Sequence, residues 1–166
     1  MNNTYSHLTF RASSTWKYDT RRFGPQNALD SETDDAWNSA SSEESNPLAY
    51  FEVNFHRPVL VRELRVQFQG GFVGMDCIVY KKRQQQQPQK ADESDDKSNN
   101  NNDEEWEELD ELFLDPIDST DIQTFYSEEV TIDPCTALRI EFGKSTDFYG
   151  RIIIYSLEVW GLEMPK

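Results

Sequence analysis

Three short stretches of the chain, LRVQFQ (64–69), LRIEF (138–142) and LEVW (157–160), alternate apolar and polar side chains at every second position. A period of two sends successive side chains to opposite faces of an extended strand, so each stretch suits a sheet with one face buried and one wet. No stretch shows the 3.6 period of a long amphipathic helix. The pattern predicts strands over 48–55, 59–69, 77–82, 109–114, 122–125, 137–142 and 151–160, with Pro58, Pro116 and Pro134 between strands, where a missing N–H does no harm. In WEELDELFLDP (106–116), Trp106, Leu109 and Phe113 also fit a short amphipathic helix, but the strand is preferred. Many short strands with few helices predict an all-β fold, a jelly-roll β-sandwich. At 166 residues, 36% of them hydrophobic, the chain is long enough for one domain with a real core. Residues 1–166 are therefore read as a single domain.

The alternation stops in one place. Residues 81–105, KKRQQQQPQKADESDDKSNNNNDEE, contain a Gln tract, an Asn tract and almost no apolar side chain. Such a segment cannot bury enough surface to offset its ordering entropy, so it is expected to be a disordered insertion within the domain. Loop closure costs only about 0.6 kcal/mol per doubling of length, which makes the insertion tolerable. The formal net charge is -15, and residues 81–122 hold 14 acids and 5 bases against 17 and 11 in the remainder. Direct binding to nucleic acid needs clustered Lys and Arg, so this balance argues against it.

Catalytic and metal signatures are absent from the sequence. Cys77 and Cys135 lack a zinc spacing, and His7 and His56 have no neighbour of ligand type. There is no GxSxG, HExxH, Walker loop or GxGxxG, so the chain is expected not to be an enzyme. No apolar run approaches the roughly 18 residues of a membrane span, and MNNTYSHLTFRASS lacks the character of a signal peptide. The expectation is a soluble intracellular protein with no membrane partner.

Ala12, Ser13 and Ser14, then Asn27, Ala28, Leu29 and Asp30, then Trp37 follow the order and spacing of a known pattern. This opening resembles that of the coagulation-factor C-type, or discoidin, domain, and implies its jelly-roll, galactose-binding-like sandwich. Ser31 stands where that pattern has glycine, and Asp35 where it has threonine. In calcium-binding relatives, the loop after the aspartate and a late-strand glutamate grip the ion, since a hard cation takes six to eight oxygens. The resemblance makes Asp30, Glu32 and Asp35 the candidate ligands of a weak calcium site, but puts Ser156 where the glutamate would be. The alternative is that Asp30 satisfies backbone donors of an ordered turn above Trp37. No other cofactor is expected. The extracellular members' terminal cysteines are missing, which agrees with a reducing compartment.

RRFGPQNALDSETDDAWNS, VRELRVQFQGGF and TDFYGRIIIYSLEVWG together are similar to a small intracellular family of single discoidin-like domains, the nuclear receptor-associated proteins that interact with a testicular orphan nuclear receptor. The resemblance implies a repressor of the nucleus and cytoplasm that contacts the receptor and prevents it from engaging its response element; the chain is expected to be a monomer. Two other expectations follow from the fold: a carbohydrate-binding module of discoidin type, and a substrate-receptor-like subunit of a ubiquitin ligase.

Three segments are candidates for the binding end of such a sandwich: WKYDTRRF (16–23), QGGFVGM (69–75) and STDFYGR (145–151). Loops on a rigid scaffold carry function, and aromatic and Arg side chains dominate interface hot spots. The candidate partner-binding residues are Arg22, Phe72, Asp147, Phe148, Tyr149 and Arg151. Alternatively, Asp147 and Arg151 pair with each other, and Phe148 or Tyr149 caps the core. Trp37, Trp160, Phe51, Phe68 and Phe142 are assigned to packing.

Overall fold

The alternating stretches become strands in the computed structural model, which describes residues 8–29, 34–42, 45–83, 105–128 and 133–165, and residues 2–3 by backbone alone. The strands are β1 (Asn2–Asn3), β2 (Thr9–Ala12), β3 (Trp37–Asn38), β4 (Ala49–Phe68), β5 (Gly74–Lys82), β6 (Trp106–Glu108), β7 (Ile122–Tyr126), β8 (Cys135–Ser145) and β9 (Ile153–Glu163). All pairings are antiparallel. The sequence missed the short β1, β2 and β3, which are too brief to show a period.

The 20-residue β4 organises the sandwich. Its first half pairs β2 and β8, with Phe51 opposite Ile140, and β8 continues to β5 and β6. Its second half pairs β7 and β9, with Val66 opposite Leu157. The two predicted strands 48–55 and 59–69 are thus one strand that passes from layer to layer. The register slips between Asn54 and Val59, where His56 has φ +55°, and this bulge accommodates Pro58 inside the strand.

Both layers turn their apolar faces into one core. Trp37 of β3 meets Phe51 of β4 edge-to-face at 5.1 Å, and Phe68 meets Phe142 at 6.2 Å. These four rings are essentially inaccessible, as expected. Trp160 instead lies half-buried on an outer face, where the Arg65 guanidinium stacks on it at 4.5 Å and ion-pairs with Glu63 and Glu158. Its packing is thus against a side chain of the outer face and not within the core, because on β9 it lies opposite Glu63.

Residues 109–114 form neither the strand nor the helix. Strand β6 stops at Glu108, and the chain beyond it turns and runs extended without a ladder. Leu109, Leu112, Leu114 and Pro116 point inward while Phe113, required inside by the helix reading, is exposed. The alternation is real, but it reflects burial alone. At the insertion, Lys81 and Lys82 continue β5, whereas 84–104 lie outside the described residues.

The N-terminal motif residues act as staples. Ser13 Oγ accepts the Tyr50 N–H at 2.9 Å, and Ser14 Oγ accepts that of Ala40 at 3.0 Å. Trp37 Nε1 donates to the Ser14 carbonyl at 3.0 Å, and Asn27 Nδ2 to the Arg22 carbonyl at 2.8 Å. WKYDTRRF is not extended: a 3-10 turn (Trp16–Tyr18) leads into a one-turn helix α1 (Thr20–Phe23), whose start is capped by the Asp19 carboxylate on the Arg22 N–H.

Candidate functional site

One tight turn, 146–150, carries three of the six candidate residues, Asp147, Phe148 and Tyr149. Ser145 Oγ accepts the Asp147 N–H at 3.0 Å and donates to the Arg151 carbonyl at 2.6 Å, while Asp147 Oδ2 accepts the Arg151 N–H at 3.0 Å. Gly150 has φ +75°, and a Cβ there would lie 2.2 Å from the Ser42 carbonyl oxygen. Only glycine fits both demands. The turn held in this way projects Phe148 and Tyr149 outward, 85% and 60% exposed, their rings edge-to-face at 5.3 Å. Neither residue caps the core.

Arg151 does not form the side-chain pair with Asp147 that the sequence allowed. Its guanidinium lies 4.1 Å from the Trp16 ring and 5.3 Å from the Phe72 ring, with Nη2 donating to Asn38 Oδ1 at 3.2 Å. All three candidate segments therefore converge on this half-buried arginine, and Asp147 serves the turn's backbone instead. Phe72 is positioned by its own turn, in which its N–H donates to the Gln69 carbonyl at 3.0 Å and Gly71 has φ +84°.

Arg22 is exposed beside the Phe23 ring and faces a neighbouring cleft of about 410 Å³, lined also by Asp34, Asp35, Gln69 and Tyr155 and sharing Asn38 with the Arg151 site. Two contributors belong to the candidate segment 16–23 without having been singled out among its residues. Trp16 supplies one face of the arginine stack, and Tyr18 projects almost fully exposed from a backbone in which Lys17 and Tyr18 both have positive φ, 54° and 57°. Paired non-glycine residues in that region store strain, which gathers at binding surfaces. No local sequence signal marks it.

The candidate calcium ligands are only partly placed. Asp35 is exposed beside the cleft, and Asp30 and Glu32 lie outside the described residues. Among the described residues no group of three His, Cys, Asp or Glu is suited to a metal ion. Ser156 is buried on β9 and offers a hydroxyl where an acid would be needed. Burial pushes both thiols, Cys77 and Cys135, up to about 12, so neither supplies a thiolate near neutral pH.

The outer face of the first layer holds a second arginine stack. Arg139 lies between Tyr50 and Trp106, 4.3 and 4.6 Å from the ring centres, and is ion-paired to Glu52. It floors a cleft of about 330 Å³ whose rim carries Arg11, Lys82 and Glu105. The Lys82 ammonium, 2.5 Å from Glu105, hydrogen-bonds its carboxyl and holds it below the usual range. With both faces and its fork engaged, Arg139 is committed to structure. Among the described residues no helix is long and apolar enough to cross a membrane.

No family model matches the chain. Solved structures with the same fold include the F5/8 type C domain of a Bacteroides fragilis protein, with TM-score 0.67 and 15% identity over 96% of this chain and 94% of that one. Another is chitosan-binding module 1 of a Paenibacillus chitosanase/glucanase, with TM-score 0.66 and 15% identity over 97% and 100%. A family 32 carbohydrate-binding module from C. perfringens NanJ, in complex with galactose, has TM-score 0.60 at 13% identity over 94% and 95%. The all-β jelly roll expected from the alternation is thus the discoidin-like fold. Among curated proteins, "Nuclear receptor 2C2-associated protein" from Homo sapiens is 28% identical over 91% of this chain and 89% of its own length. The protein of that name from Danio rerio reaches 31% identity with the same two coverages. On that similarity, which spans nearly the whole of both sequences, the chain belongs to the nuclear receptor 2C2-associated protein family.

Proposed function

We propose that this chain is a non-enzymatic protein-interaction module that binds a nuclear receptor through its loop end and represses it by keeping it off its response element. The observation that carries the reading is the pair Phe148 and Tyr149, exposed on a turn that hydrogen bonds and Gly150 hold in place. Rigid exposed aromatics bind with little loss of side-chain entropy and are typical hot-spot residues. Tyr18 stands on a loop packed against the same arginine and extends the surface. The relatives' name supplies the partner class. A net charge of -15 suits a protein that avoids DNA and covers a basic DNA-binding surface. The proposed form is a monomer acting in the nucleus and cytoplasm.

The test is a titration of this chain into a complex of a nuclear receptor 2C2 DNA-binding domain with its labelled response element, followed by fluorescence anisotropy. The reading requires the DNA to be released as the chain is added. Unchanged anisotropy, or a larger complex that keeps the DNA, would reject it.

A second reading is a carbohydrate-binding module, favoured by the exposed aromatics at the loop end and by structural neighbours that carry chitosan-binding or galactose in their names. A glycan array run with and without Ca²⁺ decides it, since a blank array removes the reading.

A further inference from the structure

A second apolar surface lies away from the loop end, along the flank where the two layers meet. The segment after β6 is fastened to β7 at both ends. The Glu128 N–H donates to the Glu111 carbonyl at 2.9 Å, and the Gln123 side chain bonds both the N–H and the carbonyl of Ile117 at 2.9 Å. Segment and strand therefore run side by side in opposite directions. Leu112, Leu114 and Pro116 fill the gap between the layers, which turns Phe113, Asp115 and Ile117 outward. On β7 the outward row is Ile122, Thr124 and Tyr126. Phe113, Ile117, Ile122 and Tyr126 are 58–67% exposed, and β7 spans only about 14 Å at about 3.4 Å per residue. Four large apolar side chains left in water over so short a distance mark an interaction surface.

The charge around them states what kind of partner they suit. Residues 105–128 contain nine acids and no Lys or Arg, and the neighbouring cation Arg65, opposite Thr124 on β4, is already paired with Glu63 and Glu158. Asp110, Asp115, Asp118, Asp121 and Glu128 are all exposed. A second copy of this chain would bring the same acids, and another net charge of -15, against the flank. We infer that this flank docks a basic amphipathic polypeptide segment, whose apolar side chains cover Phe113, Ile117, Ile122 and Tyr126 while its Lys and Arg meet the surrounding carboxylates. The site is separate from the loop end and does not depend on the reading of that end.

The probe is a labelled peptide of about 18 residues with Lys and Leu at helical spacing, titrated by anisotropy with the full chain. The expected result is binding that weakens at about 0.3 M salt. It should fall at least about tenfold in Phe113→Ser/Ile117→Ser and, separately, in Asp115→Asn/Asp121→Asn, while Phe148→Ser/Tyr149→Ser binds like wild type. Amide chemical shifts should move along residues 111–126 in the complex. The inference is overturned if both flank variants bind like wild type, if the loop-end variant abolishes binding, or if a Glu/Leu peptide binds equally well. Self-association of the chain that is lost in the Phe113→Ser/Ile117→Ser variant would also overturn it, since the flank would then be a homodimer interface.

Discussion

Replacing Arg151 with Ala tests whether this arginine is a free hot spot or part of the scaffold. In the structure its guanidinium has an aromatic ring on each side and donates to Asn38 Oδ1, a residue that is itself buried. Each cation–π contact contributes about 0.5–1 kcal/mol at a partly exposed site. The hydrogen bond from a charged donor contributes about 1.5–3 kcal/mol. Against this stands Nε, buried with no protein partner, at a cost on the order of 1–2 kcal/mol. The net expectation is a loss of about 2 kcal/mol, or roughly 4–8 °C in Tm for a chain of this size. Arg151→Lys should recover less than half of it, because an ammonium keeps the charge and lacks the planar fork. Urea unfolding followed by far-UV circular dichroism gives the value without relying on Trp16 fluorescence. A variant within about 0.5 kcal/mol of wild type would refute the stacked, structural role and return Arg151 to the free surface.

Two further predictions rest on other parts of the molecule. Gly150→Ala should destabilise the chain by about 1–3 kcal/mol in the same assay, because its φ of +75° and the nearby Ser42 carbonyl both oppose a Cβ; a neutral result would mean the 146–150 turn is not fixed as described. The Cys77 and Cys135 thiols are pushed from 9.0 to about 12 by burial, so the folded state favours their protonated form. That stability is complete below about pH 9 and declines as pH rises from there toward 12, and Cys77→Ala/Cys135→Ala should flatten the decline in unfolding free energy over that window.

The strands with long alternation were legible in the sequence because burial of one sheet face writes itself directly into a period of two. The continuity of β4 was not, since Pro58 reads locally as a break and only the pairing of Met164 N–H with the Pro58 carbonyl and the slip beside His56 show how the strand passes it. At 109–117 the period was genuine, yet it reported inward Leu112 and Leu114 without any ladder. The candidate site divides in the same way. TDFYGR announced its aromatics and glycine, and Phe148 and Tyr149 stand exposed. The fate of Arg151 depends on Asn38, 113 residues away, and on Trp16 still further off in the chain. Contacts at that separation are made by topology, and no local pattern encodes them. The flank apolar surface went unread because Phe113 and Ile117 look like core residues until their neighbours are seen to have taken the inward positions.

Isothermal titration of a purified nuclear receptor 2C2 DNA-binding domain with wild-type chain and with Phe148→Ser/Tyr149→Ser decides whether the loop end is the receptor contact. Both substitutions lie on exposed side chains, so Tm should be unchanged. Measurable binding is expected for the wild type, with at least about a tenfold loss in the variant. Equal affinity of the two proteins for the receptor would contradict the loop end as the contact surface, and no binding by the wild type would contradict the interaction itself.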